Sequence, residues 1–167
     1  MANALPHEKE LYDKIRDEHI TIHPFIWDTL YYYLGDYITA VHFVAAYYVL
    51  KNEPIPVEDG RKILNYSRQM NELVRKILHH EKIVNENKRL EKIKEEDLNI
   101  PPVLREIVSH HIGNDLYGIN VVVSFHLDPQ GEEPIPLEHA QHILNYTQAM
   151  RSFLDKLRVA THREVGY

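Results

Sequence analysis

Apolar residues recur at the three-and-four spacing of one helical face at Ile63, Tyr66, Met70, Leu73 and Ile77, and again at Ile143, Tyr146, Met150, Phe153 and Leu157. Both stretches predict amphipathic helices whose apolar stripes enter a core. A Glu-Pro-Ile-Pro turn precedes each, at Glu53 to Pro56 and at Glu133 to Pro136. Before each turn lies a longer and more evenly apolar stretch, Phe25 to Leu50 in the first case and the segment after Pro101 in the second. A short charged helix leads into each. Pro56 and Pro136 suit a first helical turn, where a missing N–H costs nothing, and Thr21 and Asn99 are placed to cap the long helices.

These two series are copies of one unit. Glu53-Pro54-Ile55-Pro56 returns as Glu133-Pro134-Ile135-Pro136, a spacing of 80 (53 to 133), and Ile63-Leu64-Asn65-Tyr66-Ser67 returns as Ile143-Leu144-Asn145-Tyr146-Thr147 at the same spacing. Upstream the spacing is 78 (35 to 113), because the second copy has two extra residues around Asp128-Pro129-Gln130-Gly131. The charged lead-ins also match, Asp13 to Glu18 over Glu91 to Glu96. The expected fold is all-α: a tandem duplication of a helical hairpin unit closing into a pseudo-symmetric four-helix bundle with extra short helices. One domain spans 1-167, with a first repeat over 8-80 and a second over 86-160. Gly35 and Gly113 fall at equivalent places inside the long helices at a cost of roughly 1 kcal/mol each. Close approach of the two long helices at a crossing is the leading explanation, and a break in each helix is the alternative.

Composition narrows the chemistry. The 167 residues contain 44% hydrophobic residues and no cysteine, so thiolate metal sites, disulfides and cysteine nucleophiles are excluded. A formal charge of -6 argues against a nucleic-acid surface. The first twenty residues lack a secretory apolar stretch, and Asp28, Asp36 and His42 interrupt the Phe25 to Leu50 run. The expectation is a cytoplasmic protein with no membrane partner. No glycine-rich phosphate loop or nucleophile elbow is present, which leans away from an enzyme.

Twelve histidines are the most chemically capable residues in the chain. His126 follows Val123 on the second long helix, while His139 and His142 precede Tyr146 on the second amphipathic helix. Because these helices run antiparallel from the intervening turn, the three imidazoles are expected at one level, with Glu138 or Asp128 able to add a carboxylate. That set would suit zinc, nickel or iron. The alternative is that these histidines form a polar end to the bundle beside the turn. The first copy carries Tyr48, Asp59 and Lys62 at these positions, so a metal site would occur once. The set resembles the three-histidine metal bundles of the DinB type, although His139-x-x-His142 departs from their His-x-x-x-His pair. The same antiparallel logic can bring His19, His23, His79 and His80 together at the opposite end, although termini and linkers converge there and the leading expectation is that these histidines are solvated.

The first long helix is the more apolar of the two. Tyr31, Tyr32, Tyr33, Tyr37, Ala46, Tyr48 and Leu50 stand where the second has Ser109, His110, His111, Asp115, Ser124, His126 and Asp128. If the polar set marks solvated positions, the aromatic set leaves an exposed apolar strip, and such strips mark association surfaces. The expected partner is a second copy, in a homodimer whose interface includes Trp27, Tyr31, Tyr32, Tyr33 and Tyr37. Cover by the short helix with Leu11, Tyr12 and Ile15 is the competing account. The functional expectation is a homo-oligomeric structural or interaction protein. A histidine-rich divalent-metal bundle and a small-ligand sensor with a tyrosine-lined pocket are the alternatives.

Overall fold

The prolines of the two Glu-Pro-Ile-Pro turns set where the amphipathic helices start. In the computed structural model, which describes residues 8–22, 24–79, 101–127 and 131–162, the carbonyls of Pro56 and Pro136 accept from the amides of Gly60 and Ala140, both at 2.9 Å. Each proline is therefore the residue just before its helix. Helix α1 covers Glu8–Asp17 and α2 Pro24–Asp28; a π-helical run, Thr29–Leu34, then leads into α3, Gly35–Lys51. Helix α4 covers Val57–His79, α5 Pro102–His126 and α6 Leu137–His162. The described residues are mostly helical and contain no strand. Residues 91–96, His23, His80, Asn99 and Asp128 lie outside the described residues.

Local chemistry accounts for the helix ends. Asn52 closes α3 with φ of 59°, a left-handed conformation that asparagine tolerates, and its N–H reaches the carbonyls of Tyr48 and Val49. Helix α5 begins behind Pro101 with Pro102 as its first residue, so a proline pair starts it without a side-chain cap.

The most extensive contacts run between the two hairpins rather than within them. Helix α3 packs most extensively on α6 and α4 on α5, while the hairpin pairs α5–α6 and α3–α4 complete a ring of four. Helices α3 and α5 thus occupy one diagonal, α4 and α6 the other. Ile38, Val41 and Ala45 of α3 meet Ile63 and Met70 of α4, Ile112, Leu116, Ile119 and Val123 of α5, and Ile143, Met150 and Leu157 of α6 in one buried cluster. Each large aliphatic side chain buried this way contributes roughly 1.5–3 kcal/mol. Helix α1 lies outside, against α5 and α6, with Ile15 buried and Glu8 hydrogen-bonded to His111.

At the turn end the two hairpins touch through their backbones. Ile55 and Ile135 donate to each other's carbonyl, both at 2.9 Å, forming an isolated antiparallel bridge between the two Glu-Pro-Ile-Pro turns. Arg61 reaches Glu132 across the same junction.

The glycines correct an expectation. A methyl group placed at Gly35 would meet nothing nearer than the Leu30 carbonyl at 4.0 Å, and at Gly113 it would meet nothing within 4 Å. Neither is a close-approach site, since α3 and α5 are diagonal. Gly35 instead marks the junction between the π-helical run and α3, while α5 continues through Gly113 unbroken. The crowded glycine is Gly118, where a Cβ would fall within 2.8 Å of both Cε atoms of Tyr146.

Candidate functional site

At the turn end of the second hairpin, His126 closes α5 with its side chain buried, and the antiparallel turn brings the start of α6 beside it. Its Nδ1 lies 2.8 Å from Oε1 of Glu133 and its Nε2 2.5 Å from Nδ1 of His139. The ring of His142 stacks on that of His139 at a centroid distance of 5.6 Å, on the exposed side. One proton arrangement satisfies both of these bonds. His126 donates from Nδ1 to Glu133, and His139 donates from Nδ1 to the free Nε2 of His126. The three histidines therefore lie at one end, but the expectation of three inward rings holds only in part, since His126 is buried and His142 is exposed. Glu133 supplies the adjoining carboxylate, whereas Glu138 is exposed. Among the described residues, no group of three or more histidine, aspartate or glutamate side chains is arranged to hold a metal ion.

The first hairpin carries a row of different chemistry in the same place. Tyr48 donates its hydroxyl to Asp59, and Lys62 pairs with Asp59 at 3.3 Å. The hydrogen bond to Asp59 pushes the Tyr48 phenol up to about 12, since ionisation would break it. The amide of Glu53 donates to the Tyr48 carbonyl at 3.0 Å, and the amide of Glu133 donates to the His126 carbonyl at 2.9 Å. The two extra residues of the second turn leave this bond in place. Both rows join a long helix to the amphipathic helix that follows it, and each works as a latch across its turn.

The other histidine group is only partly described. His19 is exposed with φ of 53°. His23, His80 and the side chain of His79 lie outside the described residues.

The aromatic strip is placed differently from the sequence expectation. Trp27 and Tyr31 stack on each other at 4.9 Å and pack against the core; the Arg158 guanidinium lies 5.9 Å from the Tyr31 ring centroid. Tyr37 is half-buried and donates to Gln69 at 2.5 Å. Of the named interface residues, Tyr32 and Tyr33 are the exposed ones. The premise that the polar residues of the second long helix mark solvated positions fails at Asp115 and His126, which are 5% and 3% exposed. Burial pushes the Asp115 carboxyl up to about 6. Helix α1 does not supply the missing cover, because it packs on α5 and α6.

A separate apolar surface does stand open on α3. Phe43, Tyr47 and Leu50 are 66%, 53% and 85% exposed and recur at the four-and-three spacing of one helical face. No charged residue interrupts α3 between Asp36 and Lys51. Opposite this face lie Ile38, Val41 and Ala45, so a helix apolar on all sides divides into a buried stripe and an open one. On α5, Tyr117, Val121 and Phe125 form a second exposed series. Val121 and Phe125 lie 78 residues after Phe43 and Tyr47 (43 to 121).

Hollows among the described residues border α6, two of which stand out. The larger, about 460 Å³, lies against α1 and is lined by Tyr12, Arg16, Asp155, Lys156, Val159 and Ala160. The Tyr12 hydroxyl is buried without a hydrogen-bond partner, and burial, with Glu8 nearby, holds its phenol well above the usual range. The smaller, about 150 Å³, lies between α6 and the start of α3 and is lined by Tyr31, Gly35, Thr39, Arg151, Leu154 and Asp155.

Among the described residues, no helix is long and apolar enough to cross a membrane. No family profile, curated protein or solved structure matches this chain, so its latches, open stripe and hollows stand on their own chemistry.

Proposed function

We propose that this protein is a homo-oligomeric interaction module, and that it associates through the open stripe of α3. The observation that carries this reading is the exposure of Phe43, Tyr47 and Leu50 on one helical face, edged by Lys51, whose ammonium lies 4.6 Å from the Tyr47 ring centroid. Placing three large apolar side chains in water forgoes roughly 1.5–3 kcal/mol apiece, and aromatic residues are enriched where such faces are buried between chains. A second copy presents the same stripe, and twofold packing covers both with one contact. Tyr32 and Tyr33 extend the exposed aromatic surface toward the start of the helix.

The same reading takes the body of the molecule as a duplicated hairpin. Support comes from the backbone exchange between Ile55 and Ile135, from the matching α3–α6 and α4–α5 pairings, and from the latches at equivalent turns. Light scattering on the purified protein at micromolar concentration tests the function. The expected result is a mass of two or more chains, falling to one chain in a Phe43→Asp, Leu50→Lys double variant with unchanged helical circular dichroism. A monomeric parent protein would sink the reading.

A further inference from the structure

Gly35 has no packing reason to be glycine. Room exists for a side chain, and glycine within a helix costs roughly 0.5–1 kcal/mol relative to alanine. The π-helical run that ends against it is a second expensive feature, and such runs collect at functional positions. Both border the 150 Å³ hollow, into whose lining Tyr31, Gly35 and Thr39 come from one face at four-residue spacing. The glycine thus leaves a gap between a phenol and a hydroxyl. Across it, α6 contributes Arg151, Leu154 and Asp155.

Arg151 and Asp155 stand one helical turn apart with opposite charges, yet no ion pair joins them in the structure. Arginine N-terminal to the acid is the weaker orientation for such a pair, which leaves both groups available to something between them. His42, beside Arg151, is held below its ordinary value by burial first and by that guanidinium second, so the guanidinium is the local cation at neutral pH. Stacking of Tyr31 on Trp27 fixes the phenol at the rim. At the repeat spacings the corresponding residues are Ser109, Gly113 and Tyr117 with Asn71, Val74 and Arg75, and there the arginine is paired with Glu72 at 2.9 Å.

We infer that this hollow binds a small zwitterion, an α-amino acid with a short side chain, its carboxylate on Arg151 and its ammonium on Asp155. The Tyr31 and Thr39 hydroxyls complete the polar contacts, and Leu154 with the bare Gly35 backbone takes the short side chain. The volume has room for roughly five to seven non-hydrogen atoms, the size of glycine or alanine. This inference is independent of self-association through α3.

Isothermal titration calorimetry of the full chain tests it with glycine and L-alanine, to roughly ten millimolar, with acetate and methylammonium as half-ligands. Saturable heat is expected for the two amino acids, with each half-ligand at least about tenfold weaker. Arg151→Gln and Asp155→Asn should each weaken binding by about tenfold or more. Gly35→Leu should fill the hollow and abolish binding while melting at or above the parent temperature, which separates loss of the site from loss of the fold. Absence of heat with both amino acids, acetate binding as tightly as glycine, or binding that survives Gly35→Leu would each overturn the inference.

Discussion

Ile55 and Ile135 hold each other by two backbone hydrogen bonds of 2.9 Å, although the chain between them includes all of α4, all of α5 and the linking segment. Both side chains are fully buried, so the pair is sealed from water at the centre of the turn end. Their amides should exchange with solvent at one common slow rate, that of global unfolding, measured by native-state hydrogen exchange. Independent rates for the two amides would show that the turns open separately.

The crowded and the open glycines should respond in opposite directions to alanine. Gly118→Ala drives a methyl into the Tyr146 ring and should cost about 1–3 kcal/mol in urea unfolding. Gly113→Ala meets open space within a helix and should gain about 0.5–1 kcal/mol.

Truncating His139 should be more damaging than truncating its counterpart Asp59. His139→Ala leaves Nε2 of the buried His126 without its partner, at about 1–3 kcal/mol. Asp59→Ala frees the hydroxyl of Tyr48, which reaches water more readily, and should cost about 1 kcal/mol or less. Urea titration of the two single variants at neutral pH gives the comparison.

Asp115 should make the fold less stable as acid is removed. Its carboxyl holds a proton up to about pH 6 in the native state, against an ordinary value of 3.8, so the native chain binds this proton more tightly than the unfolded one. Stability therefore falls as pH rises through that window, and the loss is complete above it, on the order of 3 kcal/mol. Asp115→Asn should abolish this component of the slope and raise the melting temperature at pH 7. Parallel pH profiles for parent and variant would contradict the assignment.

Much of the helix order is legible in the sequence because its signals are local. Pro56 and Pro136 start helices, and the stripes headed by Ile63 and Ile143 have one polar side and one apolar side. The meeting of His126 with His139 also follows from antiparallel geometry alone. The two faces of α3 are harder to read, since Phe43, Tyr47 and Leu50 match Ile38, Val41 and Ala45 in hydrophobicity and periodicity cannot tell inside from outside. The second copy misleads here, because Asp115 is polar yet buried, while Val121 and Phe125 are apolar yet exposed. Apolar positions at the spacing of 78 do not separate the faces either, since Phe43 with Val121 and Tyr47 with Phe125 are exposed while Ile38 with Leu116 and Val41 with Ile119 are buried. Glu133 is missed because it sits in the turn, where two extra residues obscure which carboxylate comes back to the histidine.

The pairing of α3 with α6 also bears on how the chain emerges from the ribosome. The most extensive partner of α3 is the helix synthesised last among the four, so the first hairpin leaves the exit tunnel with Val41 and Ala45 uncovered. It must wait in that state through translation of α5 and the second turn. During that interval the nascent chain shows both its future core and the open stripe of Phe43 and Leu50, a natural target for chaperones and for premature pairing between neighbouring chains on one messenger.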